Sequence, residues 1–473
     1  MNIRDEWRKI VFKYMYNPDS PGDDKYWSPE LEICSRDKIK EIQSEKLELA
    51  FRYLWEASAF YRDKFKRAGL IPKDIRSVDD LYKIPITKKK EWSENQEKFP
   101  PWGNFSPIDQ ELWTKEGWMF FATSGTTGTP RAFRHTVHDK KIWAWNWARA
   151  FWAQGVRSGD VLINCFGYGP FVAFWGAHYG INLLGCPVIP TGGMDTRRRA
   201  FIINKYVPTV LTCTPSYAVH LGEIMNEEGY DPSESSIKII VTAGEPGPGI
   251  VATKKRIETL WNARLHDIYG CTEMAMTPLS YSCKEDAPLS GQPANPHIVE
   301  DLYIPEAVDP KTLEPVSFGK RGISVASNLY SLSQPILRYE IGDFFSITDE
   351  VCKCGRTQLR AIHGFSGRAD DMTKCKGIVV FPSTFESVIR EIPEVGDEFL
   401  VTIVHKSGND ELKIQVEPCQ GTLLTKDLNL LISKKVKEKI KTKIGLSAQI
   451  QVLSFGTLPR SEHKAKRLID IYK

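Results

Sequence analysis

The chain has 473 residues, of which 41% are hydrophobic and 26% charged, and it carries a formal net charge of +4. That length buries a large core and suggests two or three domains, and the composition is that of a globular chain rather than a disordered or membrane-embedded one. The charge is too mild for a nucleic-acid binder, which concentrates its basic residues far more strongly, so anionic small molecules remain the natural partners.

In chain order, the start MNIRDEWRKIVFKYMY lacks the apolar stretch and small-residue cleavage site of a signal peptide, and a cytoplasmic location is expected. Apolar residues at helical spacing over 37–54 and 57–68, punctuated by Gly69 and Pro72, predict a helical cap over about the first hundred residues. Residues 161–194 contain no Asp, Glu, Lys or Arg until they end, yet glycines and prolines break them repeatedly. A buried strand, loop and helix fits that run better than a membrane span. From 161 onward the apolar runs VLINCF, GCPVIP, PTVLTC and IKIIVTAG alternate with helices predicted at 216–228 and 250–261. Strands separated by helices imply right-handed crossovers and a mostly parallel sheet, whose ligands gather at the carboxyl ends of the strands. VTAGEPGPG and DIYGCTEM stand at such ends.

After Gly319 shorter alternating segments, GISVASN and FFSITD, predict a small antiparallel subdomain. A junction follows at HGFSGRAD, and beyond it helix 382–391, strand 399–404, helix 428–443 and strand 449–453 predict a small α+β domain on a hinge. The expected class is α/β: a large N-terminal domain, 1–366, with mixed and parallel sheets flanked by helices plus a small β subdomain, and a small mobile C-terminal domain, 367–473. Lysines 434, 435, 437, 439, 441 and 443 read as a solvated helix face rather than a nucleic-acid site.

The segment that most constrains function is FATSGTTGTPRAFRHT, residues 121–136. Glycines let backbone N–H groups turn toward a polyanion, while hydroxyls and Arg131 add donors for phosphate oxygens. It is not a Walker loop, because Gly128 is followed by Thr129, Pro130 and Arg131 rather than Lys and Ser or Thr. A flexible Ser/Thr/Gly turn is the alternative reading of this segment taken alone. The ten cysteines are scattered, which suits reduced thiols or metal ligands more than a disulfide framework. Cys283, His297, Cys352 and Cys354 supply a zinc-type donor set; the spacing is irregular, and unrelated cysteines are the other reading.

These motifs recur in an order that resembles the adenylate-forming superfamily, specifically its phenylacetate-CoA ligase branch. The resemblance runs through ASAFYRDKFKRAGL, IRSVDDLYKIPITKK, the 121–136 loop, GYGPFVAFWGAHYG, VIPTGGMDTRRR, TCTPSY, TAGEP, IYGCTEM, LRYEIGD, GRADDM and LPRSEHKAKRLID. It implies a two-step ligase that activates an aromatic or small organic acid with ATP and passes the acyl group to CoA. Thr123, Ser124, Gly125, Thr126, Thr127 and Gly128 would then cradle phosphate, with Thr272 and Glu273 at the α-phosphate and Mg²⁺. Gly244, Glu245, Pro246, Tyr269 and Gly270 would border the nucleotide, while Asp343 and Arg368 hold the ribose and Tyr339 packs nearby. Asp370 corresponds to the hinge. Lys464 matches the adenylation lysine, although His463 stands where the family usually has glycine, and Lys466 is the runner-up.

The resemblance places the acid beside Tyr168, Phe174 and Ala243. Phenylacetate enzymes of the branch tend to carry small residues where this chain has Val172, Ala173, Phe174 and Trp175, so a smaller or differently shaped acid is expected. Some ligases of the branch carry a structural zinc at positions matching the Cys/His set, and a homodimer is also implied. Left open are transfer to a carrier protein, an amine or another coenzyme; a non-catalytic ATP-binding role; and a zinc-dependent hydrolase.

Overall fold

The computed structural model describes residues 2–123, 130–170, 173–275, 278–285, 292–368, 372–376, 378–405, 410–460 and 467–472, without the side chains of 173 and 174. Ser124, Gly125, Thr126, Thr127, Gly128, the Phe174 side chain, Asp370, Lys464 and Lys466 therefore lie outside the described residues.

Five short strands, Val188–Pro190, Leu162–Asn164, Val210–Cys213, Ile239–Thr242 and Arg264–Tyr269, lie side by side in parallel. Side-chain alternation divides their residues between two cores. Leu162, Val210 and Ile239 join the core that holds Trp143 and Ala177, whereas Ile163, Leu211 and Ile240 join the one that holds Ile203, Leu221 and Trp261. Both faces are covered by helices, which is why these strands read as unbroken apolar runs.

The helix Ala173–Leu183 packs on the helix Val137–Ala153 unusually closely. Gly176 and Gly180 sit one turn apart, on one face, and a Cβ built at Gly180 would lie 2.3 Å from the Trp147 Cβ.

The antiparallel strands after residue 300 do not form a detached subdomain. Ser280–Tyr281, His297–Ile298, Arg360–Ala361, Ile336–Thr348, Arg321–Asn328 and Tyr303–Val308 continue the hydrogen-bonded order outward from Arg264–Tyr269. The amino-terminal helices Ile3–Lys13, Arg36–Ala57, Ala59–Arg67 and Lys89–Lys98 cap this assembly. Arg149 and Asp301, both fully buried, pair at 3.0 Å, and Lys46 donates to the Asp301 carbonyl at 2.6 Å, so that the cap and the sheet share one polar anchor.

Beyond 372 a second core forms around Phe385, Val401, Ile414 and Val436. Its sheet runs Gln449–Val452, Glu411–Pro418, Val395–His405, Leu468–Tyr472, with the helices Pro382–Ile389 and Lys426–Ile444. The strands Glu411–Pro418 and Leu468–Tyr472 and the hairpin Thr373–Cys375 with Ile378–Val380 add to the four elements read from sequence. The lysine-rich helix is solvated as expected, with Lys435 and Lys439 paired to Glu394 and Glu391.

Gly180→Leu is expected to destabilise the protein by about 1–3 kcal/mol, because the added side chain must displace Trp147. A lowered denaturation midpoint with an unchanged m-value checks this.

Candidate active site

Loops from the carboxyl ends of the parallel strands converge with the end of the hairpin strand Gly117–Ala122. The Ala122 amide donates to the Pro170 carbonyl at 2.8 Å, joining the phosphate-loop entrance to the turn after Leu162–Asn164. Thr123 and Arg131 close the mouth of that loop through Thr123 N–H to the Arg131 carbonyl, 3.0 Å, and Arg131 N–H to Thr123 Oγ1, 3.1 Å.

Arg131 does not face open space. Its Nη2 donates to Glu273 Oε1 at 2.5 Å and its Nη1 to Ser93 Oγ at 3.3 Å. Arg131 and Glu273 are only 7% and 9% exposed, so each charge depends on the other. Glu273 sits in the 3₁₀ turn Thr272–Met274, and its carbonyl accepts from Gln334 Nε2 at 2.5 Å. The sequence gives Arg131 to phosphate; in the structure it is first the partner of Glu273.

The next two loops are tied together by Glu245, which accepts from Ser216 N–H at 3.1 Å and from Ser216 Oγ at 3.0 Å. Gly244 takes φ +91°, a backbone shape that side-chain-bearing residues rarely adopt, and so Ala243, Glu245 and Pro246 turn sharply at the strand end. Tyr269 stacks on Phe365 with ring centroids 3.5 Å apart and planes 4° from parallel, and its hydroxyl donates to Asp343 Oδ2. Burial and then the Asp343 charge push the Tyr269 phenol far above its ordinary range, so it stays a donor. Asp343 and Arg368 are register partners on adjacent strands, with Gly270 and Thr272 following Tyr269. Tyr339 lies buried against Trp92 with centroids 5.1 Å apart.

A cavity of about 520 Å³ opens between the turns 167–169 and 192–195 and includes Arg199 in its wall. Tyr168 forms one side. Its hydroxyl accepts from Asn164 Nδ2 at 3.0 Å and lies 3.2 Å from His178 Nδ1. Burial raises the phenol and lowers the imidazole, so the pair is a neutral phenol beside a neutral imidazole. Trp175 stands edge-on to the Tyr168 ring at 5.1 Å and is fixed by Nε1–H to the Gly169 carbonyl, 3.1 Å. Gly192 supports the other side of the ring; a Cβ there would lie 2.5 Å from Tyr168 Cδ2. Gln334 carries no motif of its own and only its contact marks it, while His178 lies within the GYGPFVAFWGAHYG run without being singled out by it.

Cys283, His297, Cys352 and Cys354 are buried, with donor atoms all within 4.8 Å of one another. Cys283 Sγ and Cys352 Sγ are 3.8 Å apart, and Cys354 Sγ and His297 Nε2 are 3.5 Å apart. A tetrahedron with zinc–ligand bonds near 2.3 and 2.0 Å has edges of about 3.8 and 3.5 Å, which these match. Hydrogen bonds, first from Cys283 and then from Cys352, pull the Cys354 thiol below its ordinary range. Next to the cluster, Arg356 pairs with buried Glu32 at 2.6 Å and the Tyr26 hydroxyl donates to the Cys354 carbonyl at 2.6 Å, linking it to the amino-terminal cap.

The AMP-binding enzyme model matches residues 67–326, more than half of the chain, and the AMP-binding enzyme C-terminal domain model matches 377–471. The chain belongs to the AMP-binding enzyme family. This family member is 34% identical over 461 residues to a phenylacetate-coenzyme A ligase of Thermus thermophilus, covering 94% of this chain and all of the relative. Its fold is similar to that of a 2-hydroxyisobutyryl-CoA ligase in the postadenylation state with 2-HIB-AMP: TM-score 0.89, 28% identity, 96% of this chain and 94% of the other covered. Against the same ligase with 2-HIB-AMP and CoA in the thioesterification state the TM-score is 0.71, at 28% identity and 97% and 95% coverage. That ligase therefore differs in overall shape between the two states, and this family member has the shape of the former.

Arg131→Ala leaves the Glu273 carboxylate buried without its cation, and a loss of about 3–5 kcal/mol is expected. The double variant Arg131→Ala/Glu273→Ala is expected to recover much of it, and a denaturant-based double-mutant cycle measures the coupling.

Proposed function

We propose that the protein is an AMP-forming acyl-CoA ligase whose acid is compact rather than phenylacetate-like. In the first step a carboxylate oxygen bonds to the α-phosphorus of ATP while the bond to the pyrophosphate oxygen breaks. In the second, the CoA thiol attacks the acyl carbon, AMP leaves, and the thiol proton passes to solvent. Catalysis is mostly positioning and charge neutralisation. Family membership and CoA-ligase relatives support CoA over a carrier protein or amine as acceptor.

The residue roles we assign rest on the motif matches, with the contacts among the described residues as support. Thr123 to Gly128 cradle the phosphates, and Thr272 meets the α-phosphate. Asp343, already accepting from Tyr269, accepts from the ribose hydroxyls, with Arg368 beside it. Gly244, Glu245, Pro246 and Gly270 line the nucleotide, and Ala243 borders the acid. A magnesium ion suits Glu273 as one hard oxygen ligand, since this cation keeps waters and takes its other ligands from phosphates; bound there it would neutralise the triphosphate. Arg131 would then release Glu273 and turn to phosphate.

Lys464 reaches the acid carboxylate and the α-phosphate. The stretch that carries it begins after Arg460, held by Glu417 at 2.8 Å, and ends before Arg467, held by Glu398 at 2.9 Å, so both ends are anchored to one sheet. Asp370 serves as the hinge between a large domain, 1–366, and a small one, 367–473. No helix among the described residues is long and apolar enough to cross a membrane. A cytoplasmic homodimer is the assembly we propose.

The observation that supports the acid preference is Trp175, held edge-on against Tyr168. With the acid placed beside Tyr168, the indole would restrict its size. ATP–pyrophosphate exchange and CoA-dependent AMP formation over a panel of acids test this reading. Short aliphatic or benzoate-like acids are expected to have the higher kcat/KM, and Trp175→Gly is expected to raise that of phenylacetate about tenfold or more. Phenylacetate as the best substrate of the unaltered protein contradicts the preference; no exchange with any acid contradicts the ligase reading.

The thiol–imidazole cluster holds a structural zinc, closed by four protein ligands and distant in chemistry from the adenylation step. We expect about one zinc per chain by elemental analysis. Removal by a strong chelator is expected to lower the thermal midpoint, and Cys354→Ser to do the same without chelator.

A further inference from the structure

We propose that Glu223, Arg256 and Asp397 form a proton-linked latch between the two lobes, making Asp397 a positioning residue for the half-reaction carried out in the arrangement described above. The naming of that half-reaction rests on the ligase reading; the latch itself does not.

Asp397, on the small-lobe strand Val395–His405, is 8% exposed and receives one cation from each lobe. Arg256, on the large-lobe helix Val251–Trp261, donates through Nη2 at 2.9 Å and Nε at 3.3 Å. Arg390, from the small lobe, donates through Nη1 at 2.9 Å. Further hydrogen bonds cross the same boundary. Thr253 Oγ1 donates to Glu386 Oε1 at 3.2 Å, and Gln420 Nε2 to Glu227 Oε1 at 3.1 Å. Polar contacts thus concentrate where the helices Pro215–Glu227 and Val251–Trp261 meet the small lobe. Any rotation of that lobe must break them.

The proton enters with Glu223. This carboxyl, on the helix Pro215–Glu227 and 6% exposed, neighbours Asp397 across the boundary, and the Glu223 carbonyl accepts from the small-lobe Gln420 Nε2 at 3.5 Å. Two neighbouring buried carboxyls cannot both be ionised. Asp397 keeps its charge because Arg390 and Arg256 hold it below the usual range against its own burial, whereas burial, then Asp397, pushes Glu223 up to about 8. Arg256 and Arg460 oppose that rise. The other charged or titratable groups around the junction are Glu227 and His220 on the same helix, Glu386 and Arg390 at the ends of the small-lobe helix, Glu398 on the strand, and Glu417 and Cys419.

When the lobes part, Glu223 returns to water, where a glutamate titrates near 4.3, and releases its proton. Its docked pKa lies above the undocked one, so docking is fully favoured below the ordinary glutamate value and weakens as pH rises through about 8. At neutral pH each docking event takes up one proton.

The test uses the full chain with donor and acceptor dyes on non-natural residues at Tyr206 and Leu430, which are 58% and 70% exposed on opposite lobes. Energy transfer is read from about pH 6 to pH 9.5 without substrate. The labelled parent is expected to lose docking progressively as pH rises from 6 and to level off above about 8, Glu223→Gln to stay docked throughout, and Arg256→Ala to lose docking throughout. A flat profile for the parent, or a Glu223→Gln profile that still titrates, overturns the latch. In the kinetic arm, Arg256→Ala is expected to slow ATP–pyrophosphate exchange about tenfold while transfer of a preformed acyl-adenylate to CoA changes less than about twofold. Equal losses in both steps overturn the positioning role. Absence of exchange in the parent itself counts against the ligase reading and leaves the dye measurement to decide the latch. Arg256 is 43% exposed in its side chain, so Arg256→Ala is the variant that keeps the fold if Asp397→Asn does not.

Discussion

A guanidinium and a carboxylate, both buried and each the other's counter-charge, set the geometry of this site. Arg131 ends the glycine-rich loop, and Glu273 sits in a tight turn after the last parallel strand, 142 residues further along the chain. Their pairing fixes the distance between two segments that have no other reason to stay together. Tyr269, Asp343 and Arg368 then follow on neighbouring strands, so the loop, the turn and the strand ladder form one connected surface. A polyanion arriving there meets a cation that is already positioned and already compensated, and exchange of partners costs less than creation of a new buried charge.

Elements with a strong period were legible before the structure. The 216–228 and 250–261 helices match Pro215–Glu227 and Val251–Trp261, and each of the four apolar runs contains a parallel strand. What escaped were elements whose signals are weak or shared. Glu411–Pro418 alternates charged and apolar residues at a sheet interior, and Leu468–Tyr472 is a short strand after a basic tail. Of the late antiparallel strands, Arg321–Asn328 and the second half of Ile336–Thr348 were read as strands, whereas Tyr303–Val308 and the two-residue strands were not, and their attachment to the parallel sheet depends on long-range pairing that no local pattern encodes.

The site divides in the same way. Thr272, Glu273, Asp343 and the cysteine–histidine set were legible because motifs or donor chemistry single them out. The use of Arg131 against Glu273 and the cross-lobe pairing of Arg256 with Asp397 were not, since each joins residues far apart in sequence. Partners found only in three dimensions also explain why one small lobe can be anchored by contacts that a motif search passes over. The motifs lie in recognisable segments, whereas the contacts between the lobes come from residues that carry no motif.

The spacing of the three thiols has a consequence for handling. Cys283 and Cys352 stand 3.8 Å apart, and a bond between them needs their sulfurs to close to about 2.0 Å, a small displacement for side chains on separate loops. A bound cation keeps such sulfurs committed and apart, whereas stripped protein exposed to air has an oxidative route that would lock the loops out of register. Reductant during purification therefore protects the architecture itself, and material prepared in air would record the loss as a fall in recoverable protein that added thiol restores.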